Sequence, residues 1–149
     1  MGRYTDEMLQ RALGIVDETI DLAIRIHRDL GPALLESSYE QILSSFLRRN
    51  GHRVVNEMPV RFVYDGITVE NNYRLDLLVD DILAIELKAV EKMAPVHYKQ
   101  ALTYTKILNH PIGLLLNFGG ETIPGHFSRV INTTHPLAQA LSNLKGFRG

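Results

Sequence analysis

The stretch YRLDLLVDDILAIELKAV, residues 73–90, constrains this chain most. It reads as two short apolar strands around Asp80-Asp81, yet Asp76, Glu86 and Lys88 put two acids and a base inside them. An ion buried without a partner is costly and tends to shift its pKa instead. Side chains alternate along a strand, so Glu86 and Lys88 share one face, and Ile85 and Leu87 take the other. Paired residues in an antiparallel hairpin have numbers of constant sum. A two-residue turn at Asp80-Asp81 sets Asp76 opposite Ile85, and a three-residue turn at Asp80–Ile82 sets it opposite Glu86. We expect the second, because it gathers all three charges on one face, and a one-residue slip would scatter them.

The chain around the hairpin fills in a fold. Thr5 can cap a helix in which Leu9, Leu13, Val16, Ile20, Ala23, Ile24 and His27 recur at helical spacing. Leu30-Gly31-Pro32 should end it. A second helix carries Leu35, Tyr39, Ile42, Leu43, Phe46 and Leu47 on one face, and Asn50-Gly51 closes it. RVVNEMPVRFVYDGITV is rich in β-branched and aromatic residues and breaks at Asp65-Gly66, a hairpin signal. Pro59 marks an edge strand or a bulge. Ala94-Pro95 starts a third helix that runs to about Leu108, and Asn109-His110-Pro111 stops it. IGLLLNFG (112–119) is a short apolar strand. Phe127–Ile131 reads as a further strand, and Leu137–Leu144 as a final helix.

The expected order is thus α-α-β-β-β-β-α-β with a tail. Hairpins followed by a helical crossover imply an α/β fold, a mixed sheet flanked by helices. We expect one domain over 1–149, with an N-terminal helix within 1–30 and a helical tail over 133–149.

Composition narrows the function. A 149-residue chain with 45% hydrophobic residues suits one folded core. A formal net charge of −1 argues against a bulk polycation, while leaving room for a local basic groove. Without cysteine there are no disulfides and no thiolate metal sites. No apolar run approaches the roughly 20 residues of a membrane span, and MGRYTDEMLQ has no signal-peptide core. We expect no membrane association and a cytoplasmic location.

Two carboxylates held together beside a lysine suit a hard divalent cation, which prefers oxygen ligands. On residue types alone, a solvated salt-bridge cluster is the alternative. Charges on only one face of an apolar hairpin favour a cleft floor. D-x9-E-L-K across two strands, Asp76 with Glu86-Leu87-Lys88, resembles the signature of the PD-(D/E)XK nuclease superfamily. Gln100 to Tyr104 is similar to the Q-x-x-x-Y motif of RecB-type nucleases. Residues 31–39, GPALLESSY, resemble the signature of the small GxxExxY family within that superfamily, with Ala33 where the family has its first glycine. YRLDLLVDDILAIELKAVE, HYKQ and GLLLNFG also resemble that family, and the resemblance covers roughly residues 10–132.

The resemblance implies a restriction-endonuclease-like core and metal-dependent hydrolysis of phosphodiester bonds, in DNA more than in RNA. Asp76, Glu86, the Leu87 carbonyl and Glu36 would hold Mg²⁺, with Mn²⁺ as a substitute. Lys88 would position the attacking water and Gln100 would orient it. His97, Tyr104 and Lys99 would lie on the substrate side. Glu40, one turn beyond Glu36, reads as an ordinary surface glutamate. Tyr39 reads as core, and Arg48, Arg49 and Arg53 as a solvated face. Two rivals share the fold: a binding module for nucleic acid or protein that has lost catalysis, and a static acid–lysine network. A chain this short has little surface outside its core for selecting substrate, which leaves room for a homodimer.

Overall fold

The computed structural model describes residues 3–141 and 147–148. Helices α1 (Asp6–Leu30) and α2 (Glu36–Arg49) lead into strands β1 (Val54–Tyr64), β2 (Ile67–Val79) and β3 (Leu83–Lys88). Helix α3 (Pro95–Leu108) follows, then β4 (Ile112–Asn117) and β5 (Phe127–Ile131). A 3-10 turn at Pro136–Leu141 and the two-residue strand β6 (Phe147–Arg148) complete the described chain. The strands lie side by side in sequence order. All neighbours are antiparallel except β3–β4 and β5–β6. The β3–β4 pair is the one that α3 crosses over, as a parallel connection requires. This is the mixed α/β sheet expected from the order of elements.

Two expectations are corrected. Three strands, not four, precede α3. Ile67–Val79 is one strand of 13 residues, and the polar Asn71-Asn72 does not end it. Asn72 adopts a left-handed φ of 59°, and the β1–β2 register shifts between Val60 and Phe62. A bulge absorbs what reads locally as a turn. In the tail, residues 137–141 form a 3-10 turn instead of an α-helix. Residues 142–144 of that expected helix lie outside the described residues.

The helices sort the sheet into two faces. On one, Leu77, Val79, Leu83, Ile85 and Leu87 join the main core with α1 and α2. On the other, Leu78 and Ala84 pack with Tyr104 of α3. Strands β3 and β4 are covered on both sides, which explains their nearly continuous apolar sequence. No helix among the described residues is long and apolar enough to cross a membrane.

Local chemistry fixes the ends. The Thr5 hydroxyl accepts the Met8 N–H at 3.2 Å, starting α1. Tyr39 is fully buried, and its ring stacks on Phe118 at 4.4 Å. Its hydroxyl accepts the Leu34 N–H at 3.1 Å and donates to the Gly31 carbonyl. Tyr39 therefore ties down the turn that delivers Glu36 to the start of α2. Ala33 lies in that turn and has no left-handed φ, so a methyl group is unstrained there.

The β2–β3 turn is held by a charged cluster. Asp80 accepts from the Arg53 N–H at 2.8 Å and pairs with His52 Nδ1 at 2.6 Å. His52 Nε2 lies 2.8 Å from Glu18 on α1. Burial would lower the His52 pKa, but its bonds to Asp80 and Glu18 outweigh that and raise it. A raised histidine pKa stabilises the fold fully below its unfolded value, and the benefit fades as pH rises through the folded value. His52→Ala should therefore cost about 2 kcal/mol at pH 6 and less at pH 8.5, read from urea denaturation at each pH.

Candidate active site

The turn spans Asp80–Ile82, and Leu77, Leu78 and Val79 pair with Ile85, Ala84 and Leu83. The same register sets Asp76 opposite Glu86, as the charge pattern requires. Beyond Leu77 and Ile85, side chains take over from backbone pairing. The Asp76 N–H donates to Glu86 Oε1 at 2.9 Å, and the Leu87 N–H donates to Asp76 Oδ2 at 2.8 Å. Each carboxylate is thus fixed by a backbone N–H of the neighbouring strand. Glu86 is only 4% exposed, and Asp76 is half-buried.

The row of acids continues across β2. Asn56 pairs with Leu77 and Met58 with Leu75, which leaves Glu57 opposite Asp76. Glu57 has a left-handed φ of 51°, uncommon for glutamate. Glu57, Asp76 and Glu86 therefore stand in line on three adjacent strands. Glu40 approaches from α2, and one carboxylate oxygen each from Glu40, Glu57 and Asp76 lie within 4.8 Å of one another. Asn56 Nδ2 donates to Glu40 Oε2 at 3.1 Å and orients it. Glu36, one turn earlier, is close enough for its charge to act on both Asp76 and Glu86.

So many acids cannot all stay ionised without a cation. Burial, then the Asp76 charge, pushes Glu86 up to about 8. Burial raises Asp76 to about 6, helped by Glu36 and Glu57 and opposed by the Leu87 N–H and Lys88. Glu40 rises to about 7, again chiefly through burial, with Glu57 adding to it and the Asn56 bond opposing. The Lys88 charge pulls Asp76 and Glu86 down but is outweighed at both. A static lysine–acid network would show the opposite balance.

Lys88 ends β3, and the chain beyond it is gripped by Asn117, fully buried at the end of β4. Asn117 Oδ1 accepts the Val90 and Gly119 N–H groups at 3.0 and 2.9 Å, and its Nδ2 donates to the Val90 carbonyl at 2.8 Å. Asn117→Ala would strand buried backbone groups, so we expect a loss of about 3 kcal/mol in chemical denaturation.

Helix α3 brings the remaining candidates. Gln100 Nε2 donates to the Tyr104 hydroxyl at 3.4 Å, and that hydroxyl donates to the Arg74 carbonyl at 3.2 Å. Tyr104 is buried and senses the charges of Glu86 and Asp76, which raise its pKa after burial. His97 Nδ1 accepts the Ala94 N–H at 3.1 Å, so the ring closes the first turn of α3. Lys99 lines a different cleft, with Tyr98, Met93 and Ser128.

Of the two added acids, Glu40 was visible at i+4 from Glu36, but in the sequence it reads as an ordinary surface glutamate. Glu57 had no local signal, because its role depends on strand register and a left-handed backbone. The arginine cluster is more structural than expected. Arg48 donates to the Val54 carbonyl at 2.9 Å and to the Asn56 side chain, Arg49 lies over the Phe46 ring, and Arg53 pairs with Asp81.

The class of structure is thus a mixed α/β sheet whose first three strands carry a row of carboxylates beside a lysine. The sequence profile of the PD-(D/E)XK nuclease superfamily matches residues 14–130, most of the chain, and the protein belongs to that superfamily. No curated protein and no solved structure gives a match.

Proposed function

We propose that this chain is a divalent-metal-dependent nuclease of the GxxExxY type, cleaving phosphodiester bonds in DNA. The observation that carries the reading is the row of Glu57, Asp76 and Glu86 with Glu40 beside it, in which burial raises the pKa of Glu86, Asp76 and Glu40, within the superfamily's own fold. An all-oxygen, over-acidic donor set fits a hard cation such as Mg²⁺, with Mn²⁺ as an alternative. Asp76, Glu86 and the Leu87 carbonyl would hold it, with Glu36, Glu40 and Glu57 completing the acidic shell. A bound cation of this kind lowers the pKa of a coordinated water and offsets charge growing on a phosphate.

The chain's own residues supply the rest. The Leu87 N–H holds the Asp76 carboxylate, and the Asp76 N–H holds Glu86, so neither acid has to reorganise on binding. Lys88, on the Glu86 face, would steady the attacking water or a phosphoryl oxygen. Gln100 would orient that water, with Tyr104 anchoring it against β2. Tyr104 also braces the substrate side. His97 and Lys99 would act further out, His97 by setting the start of α3.

The test is cleavage of single-stranded, duplex and branched DNA and of RNA by the purified chain, with Mg²⁺, Mn²⁺ or EDTA. Metal-dependent cutting that EDTA stops and Lys88→Ala slows about 100-fold or more supports the reading. Binding without cutting of any substrate would favour the non-catalytic module.

A further inference from the structure

A cleft of about 260 Å³ opens between the β1–β2 hairpin and α3. Phe62 of β1, Tyr73 of β2 and Tyr104 of α3 supply aromatic walls, and Gln100 and Thr103 supply an amide and a hydroxyl at its edge. No charged side chain lines it, so it is not built for a phosphate. Tyr73 is 45% exposed, so its ring is open to a stacking partner. Tyr104 is the wall shared with the acids: its hydroxyl binds the carbonyl of Arg74, two residues before Asp76.

Size and lining together identify an occupant. The cleft lies at or below the roughly 300 Å³ lower end of whole-ligand pockets, so it suits one flat group. Every nucleobase offers an aromatic face for stacking and a polar edge for an amide or hydroxyl. Lys106, exposed three residues beyond Thr103 on α3, puts a cation on the helix face that carries the cleft's edge, where a strand's phosphates would pass.

We propose that this cleft is a base-binding subsite that takes one unpaired nucleobase of the strand being cleaved. The position of the cleaved bond at the acids rests on the nuclease reading. The base subsite itself rests on the cleft. A base seated there cannot be paired, so single strands and frayed ends are the substrate class and intact duplex is not.

The experiment uses a single-stranded 12-mer of DNA with a central 2-aminopurine, an otherwise identical 12-mer with a central abasic site, and the matching duplex. Affinity is read by fluorescence anisotropy and stacking by 2-aminopurine quenching, both in EDTA so that no metal chemistry is needed. Stacking on an aromatic side chain is worth enough for Tyr73→Ala to weaken single-strand binding roughly tenfold and to relieve the quenching. Tyr73→Phe, which keeps the ring, should restore both, with unchanged melting curves for the two variants. The abasic strand and the duplex should bind the wild type more weakly than the single strand. Wild-type affinity and quenching in Tyr73→Ala, equal binding of abasic and base-bearing strands, or no binding of any strand would overturn the subsite. Ring-dependent binding with no cleavage under any metal would instead refute the nuclease reading and leave the subsite standing.

Discussion

Asp76→Asn should abolish the proposed metal-dependent cleavage, with a loss of about 1,000-fold or more, while the protein stays folded. Asp76 stands at the centre of the acid row, between Glu57 and Glu86 on the neighbouring strands. Its Oδ2 accepts the Leu87 N–H at 2.8 Å, and an asparagine oxygen can do the same. The backbone pairing that splays β2 from β3 therefore survives the change. What disappears is one charge from the set that would hold the cation, and preorganised electrostatic contacts of this kind are worth roughly 100- to 1,000-fold each. The change also relieves repulsion, because burial raises the Asp76 pKa to about 6 in the folded state and the charges of Glu36 and Glu57 add to the shift. We expect the variant to melt at or above the wild-type temperature without metal. Activity assays beside thermal melts read both effects at once.

The second large effect is on stability against pH. Glu86 is almost fully buried, and its folded pKa of about 8 stands well above its ordinary 4.5. Between those values the folded protein keeps a proton that the unfolded chain has released. Stability therefore falls as pH rises from about 4.5 to 8 and levels off above. Glu86 alone should account for a loss on the order of 3 kcal/mol across that window. For a chain of this size that is a fall in Tm on the order of 10 °C. Glu86→Gln removes the titrating group while its amide oxygen can still accept the Asp76 N–H, so its metal-free Tm should change much less with pH. His52, Asp76 and Glu40 contribute in the same direction, since their pKa values are raised too, and all three remain in wild type and variant alike. The difference between their slopes isolates Glu86. Millimolar Mg²⁺ should recover much of the wild-type loss at pH 8 and little in the variant.

The central hairpin was legible because its charges and its apolar residues impose one register. Asp76, Glu86 and Lys88 share a face only with a three-residue turn, and that is the turn observed. The α3 crossover was legible from Ala94-Pro95 at one end and Asn109-His110-Pro111 at the other. Local signals failed where pairing overrides them. Asn71-Asn72 looks like a turn, but a long antiparallel partner carries β2 through it as a bulge. Glu57 looks like a surface residue in VNEMPV, and only its position opposite Asp76, with a left-handed backbone, brings it to the site. His97 pointed to the site by helical spacing, yet its Nδ1 is engaged in starting α3. The charge row thus pointed to the centre of the candidate site, and the tertiary fold brings Glu57 and Glu40 beside it.

Calorimetric titration of Mn²⁺ into the wild type, Asp76→Asn and Glu57→Gln tests the central claim most directly. Saturable binding to the wild type that is lost in Asp76→Asn and weakened in Glu57→Gln is the predicted result. It would place the cation in the acid row across β1, β2 and β3. Wild-type binding that Asp76→Asn leaves intact, or no saturable binding at all, would contradict it.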